Sequence, residues 1–151
     1  MPVWCCVTTT GLRLVVAALA CVVHVIAAGA DLTLLSGFVS WHSEGRYCER
    51  NGGVGARLDS GAWAGWAAGA YRNSLCRTSV YVGREWVRPV AGPLHVGVVV
   101  ALSSGYRFAV VPAVLPEIVV RFDRFEVALI VQPFEIRHSP AFVAAQWRYR
   151  I

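Results

Sequence analysis

The sequence contains no lysine, and it is poor in charge of either sign. All 14 basic residues are arginines, and charged residues make up 15% of the 151 positions against 56% hydrophobic ones. So few charges would leave the surface of a soluble domain poorly solvated. The arginines are scattered rather than gathered in a block, which disfavours nucleic-acid binding. Because guanidinium groups hold phosphates in a forked geometry, a membrane surface is the better-suited partner.

Long apolar runs are also scarce. One run, Leu14–Ala28, follows Arg13, and Ala28-Gly29-Ala30 supplies small residues at the spacing of a cleavage site. This pattern predicts a signal peptide over residues 1–30, with an uncleaved membrane anchor as the alternative. Residues 31–151 contain no second such run free of Gly, Pro or charge, so a bundle of membrane helices is disfavoured. They amount to a single domain.

Only two of the five cysteines, Cys48 and Cys76, lie beyond the predicted signal peptide. Two cysteines make no disulfide scaffold, and their spacing is not that of a zinc site. We expect no metal and no cofactor. In an exported protein the pair would experience an oxidising compartment, so either a disulfide between two loops or two free thiols is compatible with the sequence.

Short strand-like segments separated by turn residues fill the rest of the chain. Strands are predicted at 34–43, 53–59, 62–73, 77–87, 94–104, 108–120, 125–132 and 141–151. Eight strands of about ten residues match the smallest membrane barrels. The segment 108–120 fits least well, because its valines do not alternate with polar residues and Pro112 and Pro116 remove ladder donors.

The last segment shows the clearest alternation. Trp147 and Tyr149 fall on one face, whereas Gln146, Arg148 and Arg150 fall on the other. Apolar residues outside and polar residues inside, with aromatic residues at the interface, are typical of a membrane strand. The fold class predicted for residues 31–151 is therefore all-β: an antiparallel, up-and-down, eight-stranded transmembrane β-barrel following a signal peptide. Closure leaves no free edge, so we expect a monomer.

Polar residues follow two of the predicted strands. His42 lies near the end of the first strand, and Asn73 and Ser74 lie at the end of the third. Strands one and three of an up-and-down sheet run in the same direction, so their ends lie on the same rim. The three side chains are therefore a candidate site at one mouth of the barrel.

Several of these segments carry a family resemblance in their order and spacing. They are Trp41-His42, Tyr47-Cys48-Glu49-Arg50 with Gly52, Gly53 and Gly55, Asn73-Ser74, Trp86-Val87-Arg88-Pro89, Leu94-His95-Val96-Gly97, Pro112-Ala113-Val114-Leu115-Pro116 and the closing aromatic-arginine strand. Together they resemble the lipid A palmitoyltransferase family of outer-membrane barrels, from about Val39 to Ile151.

The resemblance implies an enzyme in the outer membrane of Gram-negative bacteria. It would move a palmitoyl chain from a phospholipid donor to lipid A, without a cofactor. It implies that His42 accepts a proton, that Ser74 supplies a hydroxyl at the reaction centre, and that position 73 orients the histidine. The family admits lipid where prolines interrupt strand pairing, and Pro112, Pro116 and Pro133 are the candidates here.

One departure concerns the candidate site itself. The family carries Asp where this chain has Asn73, so the anion that would fix the histidine tautomer is missing. On this view Asn73→Asp raises a weak native activity. The alternative function is a non-catalytic outer-membrane barrel with a structural, adhesion or lipid-binding role. A soluble lipocalin-like carrier is a third class, and it would be recovered from the soluble periplasm.

Overall fold

Eight strands account for most of the computed structural model, which describes residues 31–45, 47–135 and 140–151. The predicted signal peptide lies outside these ranges. The strands are β1 (Leu32–His42), β2 (Arg50–Asp59), β3 (Ala64–Arg72), β4 (Thr78–Ala91), β5 (Leu94–Ser103), β6 (Val111–Phe122), β7 (Phe125–Gln132) and β8 (Phe142–Arg150). In those ranges, no helix has the length and apolar character needed to cross a membrane.

The strands form a closed antiparallel barrel. Each strand pairs with the next along the chain, and β1 pairs with β8 from Thr33 opposite Arg150 to His42 opposite Phe142. All eight predicted strands are present, with ends that differ by a few residues, so the predicted fold class is confirmed. A bulge at Gly37 shifts the register of β1 against both of its neighbours. A side chain at Gly37 would collide with the backbone of β2.

The two rims of the barrel differ in their connections. One rim carries the turns 60–63, 92–93 and 123–124 together with the ends at Asp31 and Ile151, and we call it the short-turn rim. The opposite rim carries the loops 43–49, 73–77, 104–110 and 133–141, and we call it the long-loop rim. Barrels of the outer membrane place short turns in the periplasm and longer loops outside.

The outer face of the wall is apolar over most of its height. Trp147 on β8 is 53% exposed while its neighbours Gln146 and Arg148 are 1% and 2% exposed. The alternation predicted for this strand is therefore confirmed. Exposed tryptophans occur near both rims, with Trp41 near the long-loop rim and Trp66 near the short-turn rim. Such girdles are typical of membrane barrels.

Ion pairs fill the half of the interior toward the short-turn rim. Arg148 lies 3.1 Å from Glu85 and 3.0 Å from Glu117, and Arg57 lies 3.3 Å from both Glu85 and Glu126. All five side chains are at most 5% exposed. Buried charges are tolerated when they are paired and hydrogen-bonded, as they are in this network. The network cross-links five strands through the barrel centre.

Aromatic rings occupy the interior above the ion pairs, toward the long-loop rim. The Phe38 ring lies 5.2 Å from that of Tyr71 and 6.5 Å from that of Tyr81, and the two tyrosine rings are 5.8 Å apart. These centroid distances are those of favourable edge-to-face pairs. The interior is thus ionic toward one rim and aromatic toward the other.

The wall is incomplete between β6 and β7. Their ladder runs from Phe122 opposite Phe125 to Glu117 opposite Ile130 and ends there, whereas β6 pairs with β5 up to Val111. The segment Val111–Pro116 is therefore an edge without a β7 ladder, and we call it the wall gap. Pro112 and Pro116 lie in this edge and point outward, where they cannot donate to a ladder.

Inward-facing side chains at the wall gap are less covered than those below it. Val111, Ala113 and Leu115 are partly exposed, whereas Val119 on the same face of β6 is fully buried. The inward face of β6 is therefore less covered by the described residues at this height than below it. This agrees with the sequence-based expectation that Pro112 and Pro116 interrupt strand pairing.

The ion network makes one prediction about stability. Replacing Arg148 by Met leaves Glu85 and Glu117 without their shared cation, so we expect a loss of about 3–5 kcal/mol in the free energy of unfolding. Urea unfolding of the barrel in lipid vesicles measures it. The matched control is Arg150→Met, because the Arg150 side chain is 42% exposed and 3.7 Å from Glu126, and should cost within about 1 kcal/mol. Equal losses for the two variants would contradict the central role of the network.

Candidate functional site

His42 is the last residue of β1 and lies at the long-loop rim. Its ring stacks on that of Tyr47 at a centroid distance of 4.7 Å and lies 5.7 Å from the ring of Phe142. Its Nδ1 atom is buried and has no hydrogen-bond partner within the described residues. The charge of Glu49 acts on the imidazole. The histidine is thus held by two rings, and its buried Nδ1 atom has no partner among the described residues.

Glu49 reaches this position because the first hairpin is closed tightly. The Ser40 amide donates to the Glu49 carbonyl at 2.8 Å, which brings residue 49 back beside the end of β1. Inside the hairpin, the Ser40 hydroxyl donates to the Asn51 side-chain oxygen at 2.6 Å, and the Asn51 amide donates to the Cys48 carbonyl at 3.0 Å. The loop that carries Glu49 is therefore fixed at both ends.

A disulfide joins the first and second loops of the long-loop rim, 43–49 and 73–77. Cys48 and Cys76 are bonded, with their Cα atoms 5.5 Å apart, and the Cys48 amide donates to the Ser74 carbonyl at 2.9 Å. The loop-to-loop disulfide, one of the two alternatives compatible with the sequence, is confirmed. It keeps the loop that contains Ser74 next to the loop that contains Glu49.

Ser74 belongs to a chain of hydroxyl groups at the mouth. Its hydroxyl lies close enough to Tyr106, in the loop between β5 and β6, to act on the Tyr106 phenol electrostatically. The Tyr106 hydroxyl lies 3.0 Å from that of Tyr71, which in turn lies 3.1 Å from the Ser103 hydroxyl. Burial, together with the neighbouring Tyr71, raises the pKa of the Tyr106 phenol. Tyr106 therefore remains a neutral hydrogen-bond donor at physiological pH.

Asn73 is fully buried, and its side chain ties its own loop, between β3 and β4, to β4 and to the loop between β5 and β6. Its side-chain amide donates to the Ser79 hydroxyl and to the Gly105 carbonyl, both at 2.9 Å. Its side-chain oxygen accepts from the amides of Leu75 and Arg77 at 2.9 and 3.0 Å. An aspartate could not make the two donor bonds, so the expectation that Asp would improve the site does not follow from this geometry.

The three residues predicted for the site therefore play different parts. All lie at the long-loop rim, but no side-chain contact within the described ranges joins His42 to Asn73 or Ser74. The sequence did not predict that the charge of Glu49 acts on His42, because a carboxylate in a seven-residue loop is usually exposed to solvent. The hairpin could have indicated this proximity, because it returns the chain to the end of β1. No group of His, Cys, Asp and Glu side chains in the described part of the chain could hold a metal ion.

The hydrogen bonds of Asn73 make a direct prediction. Asn73→Asp puts a carboxylate beside the Gly105 carbonyl and loses both donated bonds, so we expect it to destabilise the barrel by about 1–3 kcal/mol. The midpoint of urea unfolding, measured with the disulfide intact, tests this expectation. Ser74→Ala serves as the neighbouring control and should cost about 1 kcal/mol or less. A variant Asn73→Asp as stable as wild type would show that these bonds are dispensable.

Comparison with known proteins supports the fold alone. No protein-family profile matches the chain, and no curated protein matches it in sequence. Among solved structures, a transmembrane β-barrel designed de novo is similar, with a TM-score of 0.59 and 13% identity over 82% of this chain and 96% of that chain. The chain is thus an eight-stranded closed β-barrel of the transmembrane type.

Proposed function

We propose that the chain is an outer-membrane acyltransferase that moves a palmitoyl chain from a phospholipid to lipid A. The observation that carries the proposal is the wall gap, where the inward-facing Ala113 and Leu115 are partly exposed beside an edge of β6 that has no β7 ladder. A barrel that served only as a scaffold would have no need of an accessible apolar interior at this height. Long loops at the same rim are consistent with an outer-leaflet site.

The residues along the wall gap suit an acyl chain. The inward-facing residues of β6 there are Val111, Ala113 and Leu115, which offer no hydrogen-bonding side chain. Opposite them on β5, Ala101 is also small and faces inward. Burying methylene groups against such a surface stabilises by about 0.8 kcal/mol each. A saturated chain could therefore enter between β6 and β7 and lie in the upper interior.

His42 is the proton acceptor in this proposal. Glu49, rather than the residue at position 73, is the group that supports the histidine. A hydroxyl of lipid A gives its proton to the His42 imidazole and attacks the ester carbonyl of the phospholipid. The ester bond then breaks, and the departing lysophospholipid oxygen receives the proton. Glu49 stabilises the protonated imidazole electrostatically. The Ser74 and Tyr106 hydroxyls are the candidate donors to the carbonyl oxygen as it becomes negative.

A non-catalytic barrel is the second candidate, and the use of Asn73 favours it. Where the resembling family has a carboxylate, this chain has an amide that makes four hydrogen bonds, to Leu75 and Arg77 in its own loop, to Ser79 on β4 and to Gly105 in the next long loop. The two candidates differ in one product. Only an acyltransferase adds a C16 chain to lipid A.

The mass of lipid A tests the proposal directly. Expression in a Gram-negative host without its own lipid A palmitoyltransferase should add one C16 acyl group, and His42→Ala should abolish the addition. Glu49→Gln should lower it about ten-fold, because a general base held by a carboxylate contributes factors of that size or more. Glu44→Gln, in the same loop and exposed, should leave it unchanged.

Three outcomes would contradict part or all of the proposal. If wild type adds no acyl group although it sediments with outer membranes and runs faster unboiled on a detergent gel, the non-catalytic barrel stands. If His42→Ala retains full transfer, the enzyme survives but the site does not. Recovery of the protein from the soluble periplasm would reject both candidates.

The wall gap makes a separate prediction. Ala113→Trp places an indole inside the barrel at the gap, whereas Val114→Trp places the same indole on the outer face. We expect the inward variant to lower acyl transfer about ten-fold. This corresponds to a cost of about 1.4 kcal/mol for packing the acyl chain against the added indole. The outward variant should behave as wild type. Equal transfer by the two folded variants would mean that the acyl chain does not pass this gap.

A further inference from the structure

An arginine lies on the outer face of the wall, where every neighbouring position is apolar or aromatic. Arg84 on β4 pairs with Trp66 on β3 and with Val100 on β5. Its inward-facing neighbour Glu85 belongs to the ion network and is 4% exposed, so the alternation of β4 directs Arg84 outward. Between the ends of the eight strands, Arg84 and Arg88 carry the only charges on the outer face.

Two tryptophans flank the Arg84 guanidinium. Its central carbon lies 5.3 Å from the ring centroid of Trp66 and 5.4 Å from that of Trp86. Both indoles are on the outer face and are 52% and 40% exposed. Cation–π contacts at these distances hold the plane of the guanidinium between the rings. The side chain is therefore oriented rather than free in the lipid.

The guanidinium nonetheless lacks a hydrogen-bonding partner. Its Nε atom is buried and has no acceptor within the described residues, and none of the ion pairs in that part of the chain includes Arg84. Aromatic rings offer no lone pairs to the five N–H groups of an arginine. The two terminal Nη groups are not buried and have no acceptor among the described residues either, so they are the part of the guanidinium that an acceptor from outside the chain could reach.

The position of Arg84 indicates what that acceptor is. Arg84 is the seventh of the fourteen residues of β4, and it pairs with Trp66, the third residue of β3. Its guanidinium contacts Trp86, which is two residues nearer the short-turn rim, so the long side chain reaches from the middle of β4 toward that rim. Arginines on the lipid face are tolerated best near the interface, where headgroup phosphates can act as acceptors.

We propose that Arg84, Trp66 and Trp86 form a binding site for the phosphate of a phospholipid in the leaflet at the short-turn rim. The planar guanidinium matches two phosphate oxygens, and the indoles cover the headgroup region on either side. Val82 and Val100, which are exposed on the outer face beside Arg84, offer an apolar surface to the acyl chains. The site rests on membrane insertion and not on the proposed acyl transfer, which uses the opposite rim.

Native mass spectrometry of the purified, folded barrel tests the site. The protein is released from dodecyl maltoside, a detergent without phosphate, after titration with dioleoyl phosphatidylglycerol. Dioleoylglycerol, which has the same chains without phosphate, and soluble glycerol 3-phosphate form two further arms. The variants are Arg84→Gln, Arg84→Lys and the matched control Arg72→Gln, which removes an exposed arginine at the end of β3 on the other rim.

We expect wild type and Arg72→Gln to retain one phosphatidylglycerol with equal affinity, and Arg84→Gln to bind it about ten-fold more weakly. Arg84→Lys should recover part of the loss, because an ammonium pairs with phosphate as a point charge. Dioleoylglycerol should bind all four proteins weakly. If Arg84→Gln does not fold, the preference of wild type for phosphatidylglycerol over dioleoylglycerol decides the question.

Three results would overturn the inference. Equal retention of phosphatidylglycerol by wild type and Arg84→Gln would show that the arginine does not hold the phosphate. Equal retention of the two lipids by wild type would reduce the site to an apolar wall. Binding of glycerol 3-phosphate with the affinity of the lipid would make it a site for free phosphate.

Discussion

Closure of the sheet is the constraint on which the rest of the structure depends. In a bilayer each unpaired backbone group costs several kcal/mol, so a spanning sheet is viable only when its first and last strands pair. Here β1 and β8 pair over ten residues of β1, from Thr33 to His42, interrupted by one bulge. The ladder between β6 and β7 departs from this rule, because it ends at Glu117 opposite Ile130. Pro112 and Pro116 have no N–H to leave unsatisfied, so they reduce the cost of an unpaired edge while keeping the wall open.

The interior divides its roles by height. Near the short-turn rim, paired arginines and carboxylates tie strands from all sides of the barrel, with Arg57 and Arg148 at the centre. Toward the long-loop rim, rings and small apolar residues replace the charges, and the wall gap occurs at that height. The rigid part of the barrel is therefore separate from the part that lipid could enter. At the mouth, beyond the ends of the strand ladders, the disulfide between Cys48 and Cys76 holds two loops together.

Much of the fold could be predicted from the sequence, because a membrane barrel repeats one simple pattern. Turn residues marked the strand boundaries, and the two-residue period of β8 identified its faces. The candidate site could be predicted only as far as the rim. Because strands one and three run in the same direction, His42, Asn73 and Ser74 could be placed at one mouth. The strand directions do not determine which of these side chains contact each other. The four bonds of Asn73 depend on Gly105, thirty-two residues away, and the approach of Glu49 to His42 depends on how one loop closes. Such contacts between loops produce no repeating pattern in the sequence.

Access of lipid to the interior through the wall gap is the central claim, and nuclear Overhauser contacts between lipid and protein measure it directly, because they report only on groups that touch. The deuterated barrel, with its Ala, Val and Leu methyl groups protonated, is placed in nanodiscs of protonated phospholipid. The outward methyls of Val114 should show contacts with acyl-chain methylenes in any case. We expect the inward methyls of Ala113 and Leu115 to show such contacts as well, while those of Val119, which is fully buried below the gap, show none. Contacts at Val114 without contacts at Ala113 and Leu115 would show that the wall is closed to lipid.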